Sequence, residues 1–190
     1  MTKASTDIAG LANQFAVGEG AAPGGGPAES CGDFDIRIRR DGTWTYRGSP
    51  IGRKELVRLF ASVLRRDERG EYWLVTPAER GRVIVDDAPF TAVELDVEGT
   101  GRAQSLVFRT NIDERVAADR EHPIRVEQDA ATGEPSPYLL VRPGLEALIL
   151  RPVYYQLVEL GVEEAIGGER VLGVWSRESF FPLGRLEENG

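Results

Sequence analysis

The chain has 190 residues, 41% of them hydrophobic, one cysteine (Cys31), one histidine (His122) and a formal net charge of −8. That allows one domain or two small ones around a real core, and it excludes an internal disulfide and cysteine- or histidine-cluster zinc sites. An acidic chain is ill suited to general nucleic-acid binding, and no apolar run approaches the roughly 20 residues that span a bilayer. The polar stretch after Lys3 is no secretory h-region. The expectation is a cytoplasmic protein without membrane attachment.

Residues 1–32 read as an N-terminal arm and Gly/Pro linker. Ile8, Leu11 and Phe15 fall at helical spacing, and "GEGAAPGGGPAES" has linker composition. This glycine-rich stretch lacks the Lys-Ser/Thr ending and flanking strand of a phosphate loop. From Asp33 the pattern alternates: "FDIRIRR" places Phe34, Ile36 and Ile38 on one face. Asp41-Gly42 predicts a two-residue turn with positive φ at both positions, and "TWTYR" returns. "SPIGRKELVRLFASVLRR" predicts a helix capped by Ser49, with Pro50 at its first position. Its apolar stripe is Leu56, Leu59, Phe60, Val63 and Leu64.

Strands follow at "YWLVT", "RVIVD", "TAVELDVE" and "SLVFRT", punctuated by glycine and proline. "NIDERVAADREHP" reads as irregular or briefly helical. "IRVEQ" is a strand and "DAATGEPSP" a turn. "YLLVR", Pro143-Gly144 and "LEALIL" form a hairpin. Pro152 opens a helix whose face is Tyr154, Leu157 and Val158; "VLGVWS" and "FFPLG" close the chain as strands.

The hairpin-then-helix phrase occurs twice. At an offset of 102 residues Gly42 maps to Gly144, Pro50 to Pro152 and Ile51 to Val153. This predicts an α+β fold of two related β-rich halves, residues 33–100 and 101–190, each running hairpin, helix, strands and arising by internal duplication. A lone hairpin with one helix is too small to be stable, so the halves share a core, and a seam between them is a favoured place for a ligand.

The blocks "CGDFDIRIRRDGTWTYRGSPIGR", "YWLVTPAERGRVIVDDAPF", "FRTNIDERVAADREHPIRV", "PYLLVRPGLEALILRPVYYQLVELG" and "GVWSRESFFPLG" resemble, in order, the bacterial domain-of-unknown-function family 1285. The likeness runs from about Cys31 to Gly184. It implies a duplicated fold of two small β-rich halves, the second loosely pleckstrin-homology-like. It also implies a pocket at the seam for a nucleotide-like molecule, and a signalling role. It assigns no catalytic residue.

Charge is segregated. Between Ile36 and Arg66 nine Lys/Arg face two acids, and between Asp67 and Thr100 three Arg face nine acids. The basic block is either a solvated face that pairs with the acidic one, or an anion-binding patch. At the start of the first helix, Ser49, Gly52 and Arg53 offer unpartnered amides and positive charge, which suit phosphate or carboxylate. Arg109, Thr110, Asn111 and His122 supply a charged fork, a hydroxyl, an amide and an imidazole for a polar ligand; the other reading is that they satisfy loop backbone. Arg142 and Arg151 bracket the second hairpin. Glu94, Asp96 and Glu98 share a strand face and could attract a divalent cation, but a solvated face is the simpler reading. Trp175 and Phe180-Phe181 read as core. The functional expectation is a small-ligand-binding or signalling adaptor whose partner is an anionic, nucleotide-like molecule. The alternatives are a protein-interaction scaffold with a protein partner, or a hydrolase using His122. No cofactor, metal or catalytic residue is assigned.

Overall fold

The computed structural model describes residues 31–77 and 79–186, together with Gly10. The arm expected over 1–32 otherwise lies outside the described residues; Cys31 and Gly32, at its end, begin the first strand. The chain forms two compact units, residues 1–87 and 88–190.

In the first unit β1 (Cys31–Ile38), β2 (Trp44–Tyr46) and β3 (Ser49–Pro50) form one antiparallel meander, and β4 (Leu64–Arg66), β5 (Tyr72–Val75) and β6 (Arg80–Val85) form another. A parallel β1–β6 pair joins them into a six-stranded sheet, order β3-β2-β1-β6-β5-β4. Helix α1 (Lys54–Ser62) covers it with Leu56, Val57, Phe60 and Ala61. Phe60 stacks on Trp44 at 6.5 Å between centroids, and Ile36, Ile38, Leu64, Leu74 and Val83 complete this core.

In the second unit β7 (Phe90–Glu98), β8 (Ser105–Thr110) and β9 (Arg115–Ala117) form a meander, as do β10 (Ile124–Gln128), β11 (Pro135–Arg142) and β12 (Leu145–Ile149). A parallel β7–β12 pair again joins them, order β10-β11-β12-β7-β8-β9. β7 precedes residue 100, yet its hydrogen bonds go to β8 and β12. Helix α2 (Arg151–Glu159) packs on β7 and leads to a three-stranded sheet of β13 (Val162–Ile166), β14 (Glu169–Ser176) and β15 (Ser179–Arg185).

The two six-stranded sheets are therefore alike: in each, the first strand pairs in parallel with the last. This likeness does not follow the 102-residue offset. The offset maps β1–β2 onto β11–β12, but the inner strand is the first of one hairpin (β1) and the second of the other (β12). Glycine and proline punctuate most of the hairpins, so their spacing matched turns rather than equivalent strands.

Several local expectations need correction. Ser49 and Pro50 do not open a helix. They pair with Tyr46 and Thr45 as an edge strand, where a proline without N–H is tolerated. The turn before them is Arg47-Gly48, with φ of 49° and 82°, the signature of a tight two-residue hairpin. The helix starts at Lys54 and stops at Ser62, because Leu64 to Arg66 pair with β5 and Leu64 becomes fully buried. In the Asp41-Gly42 turn only Gly42 has positive φ, 83°. The loop is longer, closed by Arg39 N–H to the Thr43 carbonyl and by the Thr43 N–H to Asp41 Oδ1, both at 2.9 Å. The segment expected to be irregular contains β9, reached by the same kind of loop with Asp113 (φ 62°) in glycine's role. On α2, Val153 and Leu157 are buried while Val158 is 38% exposed.

Candidate functional site

Three of the expected ligand residues, Ser49, Gly52 and Arg53, line one depression of the first unit, with Tyr46, Pro50, Ile51 and Leu56 as its apolar floor. The β2–β3 hairpin and the following extended stretch build it: the Ile51 N–H donates to the Trp44 carbonyl at 2.9 Å, and the chain then turns into α1. Arg53, not Ser49, occupies the N-cap position of α1, and no side chain caps the helix. The amides of Leu56 and Val57 reach the Arg53 carbonyl at 3.1 and 3.2 Å, and no side chain accepts from the first turn at the N-cap. Arg53 is exposed, and its guanidinium has no ion pair among the described residues.

The remaining expected residues belong to the second unit and are bound to neighbours. Arg109 contacts Glu94 at 2.5 Å and Asp113 at 2.9 Å, and the Glu94 carboxylate holds its pKa above the ordinary value. Arg142 contacts Glu114 at 2.5 Å, and Arg151 pairs with Glu134. Thr110 is fully buried and accepts from the Glu114 N–H at 3.1 Å. Asn111 accepts from the Thr91 N–H at 3.1 Å. The ring Nδ1 of His122 lies 3.1 Å from the Leu140 carbonyl oxygen; among the described residues no hydroxyl or thiol is hydrogen-bonded to it.

Other charges are similarly matched. Asp96 pairs with Arg115 at 2.7 Å, and among the described residues no group of three or more His, Cys, Asp or Glu is placed to hold a metal ion. From the basic block, Arg37 pairs with Asp86 at 2.7 Å and Arg40 with Asp87 at 3.2 Å. Trp175 is half-buried, its indole N–H on Glu164 at 3.0 Å and Arg102 over its ring at 4.5 Å. No helix among the described residues is long and apolar enough to cross a membrane. Sequence reasoning missed the floor of the depression, which depends on the Arg47-Gly48 turn; that dipeptide was its one available signal.

The fold and site define a two-unit, β-rich protein whose two six-stranded sheets share one strand order, with an uncapped helix start over an amphiphilic depression. Residues 27–88 match the N-terminal domain of DUF1285, a domain of unknown function, and residues 89–183 match the C-terminal domain of the same family. The chain belongs to the DUF1285 family. A crystal structure of a DUF1285 family protein from Silicibacter pomeroyi DSS-3 is 44% identical with a TM-score of 0.80, over 95% of this chain and 96% of that one. Another, from Shewanella baltica OS155, is 29% identical with a TM-score of 0.51, over 65% of this chain and 90% of that one. No curated protein matches the chain.

Proposed function

We propose that this protein is a small-ligand-binding adaptor of the signalling kind, and that it takes an anionic, nucleotide-like molecule at the depression beside the start of α1. One observation carries the reading: an apolar floor of Tyr46, Pro50, Ile51 and Leu56 adjoins an exposed guanidinium without a carboxylate partner among the described residues. The macrodipole adds only about 0.3–1 kcal/mol. A ring laid on the floor that buried about 100 Å² of apolar surface would gain about 2.5 kcal/mol. Neither suffices alone, so the ligand needs both an apolar plane and an anion. The matching strand orders of the two sheets support descent by duplication, and the loose pleckstrin-homology likeness of the second half belongs to the same recognition reading.

Thermal unfolding with a panel of nucleotides and dinucleotides tests this. A binder present at 100 times its Kd adds about 2.7 kcal/mol to stability, and Arg53→Ala removes most of that gain. A melting curve indifferent to the whole panel overturns the reading and leaves the scaffold alternative. A shift that survives Arg53→Ala unchanged rejects this depression as the site.

A further inference from the structure

We draw no further inference here: the strongest candidate, the exposed apolar surface patch of Tyr155, Val158, Val162 and Ile166 along α2 and the edge strand β13, carries nothing because nothing among the described residues shows what covers it.

Discussion

Gly173 lies so close to Phe181 that a β-carbon on the glycine would stand 2.6 Å from the Phe181 carbonyl oxygen and 2.4 Å from the ring of Phe180. The carbonyl belongs to the paired strand β15 and cannot swing aside without breaking the ladder. Gly173→Ala is therefore expected to cost about 2–3 kcal/mol. Gly81 makes a useful comparison. Its β-carbon would meet the Phe34 ring at 2.2 Å, but that ring is only half-buried and can rotate outward. Gly81→Ala should cost about 1 kcal/mol or less. Urea unfolding midpoints of the two variants decide the ranking, and equal losses would contradict the distinction between backbone and side-chain obstruction.

A second prediction concerns Ser176, fully buried at the end of β14. Its hydroxyl donates to the Ala118 carbonyl at 2.7 Å and accepts from the Leu106 N–H at 3.0 Å. One side chain thus ties the three-stranded sheet to two points on the six-stranded one. The next residues, Arg177 and Glu178, take φ of 47° and 62°, a turn that side-chain-bearing residues adopt only under constraint. Their N–H groups donate to the Gln104 and Arg102 carbonyls at 2.7 and 2.9 Å. Ser176→Ala leaves a buried N–H and a buried carbonyl without this partner, and should cost about 2–4 kcal/mol. Hydrogen exchange in β13 to β15 should quicken more than in β5 and β6. A loss below about 0.5 kcal/mol would show that the bridge contributes little.

The way these features were and were not legible in the sequence follows from what each depends on. β1 shows period-two alternation because Ile36 and Ile38 are buried on one face while Arg37 is exposed, and that alternation is local information. β13, "VEEAI", is exposed at four of its five positions, so it carries no alternation to read. β9 was hidden because Asp113 takes the left-handed position in which a glycine would have signalled a hairpin. Ser-Pro is ambiguous between a helix start and a proline-tolerant edge strand, and the pairing of Thr45 with Pro50 decided for the strand. Ser49, Gly52 and Arg53 line one depression, on a hairpin and an extended stretch instead of a first helical turn. Glu94 and Glu114, which hold Arg109 and Arg142, are 15 and 28 residues distant in sequence; the strand register brings these carboxylates onto the guanidinium groups.

Asp119 gives a pH prediction. Burial alone would raise its pKa. The His122 and Glu121 N–H groups, each at 2.9 Å, together with the charge of His122 and the hydrogen bond from Arg177, outweigh that and hold it below the usual 3.8. A carboxyl with a lower pKa in the folded state stabilises the fold above the unfolded value, near 3.8, and loses this contribution as pH falls through the folded value. Asp119→Asn keeps an acceptor but not the charge, so it should cost about 1 kcal/mol at pH 7. The gap between wild type and variant should hold from pH 7 to about pH 5 and close below the usual carboxyl range. Urea titrations at neutral and acid pH measure it, and a gap that persists undiminished at the acid end would contradict the assignment.

Arg53 offers a direct test of whether the start of α1 is shaped for stability or for a ligand. The residue sits at the N-cap with φ −87° and ψ 109°, and no side chain caps the helix. That backbone suits aspartate, whose carboxylate would accept from a first-turn amide and oppose the positive end of the dipole. Arg53→Asp should therefore stabilise the protein by about 1 kcal/mol. It should also abolish the anion-dependent thermal shift, because a carboxylate then occupies the place of the anion. Arg53→Ala separates the two effects: it adds no cap, so stability should change by under about 0.5 kcal/mol while the shift is still lost. An arginine where aspartate would be the more stabilising cap is expected if the open helix end serves binding. If Arg53→Asp proves less stable than wild type, or still responds to nucleotides, the helix start does not have that role.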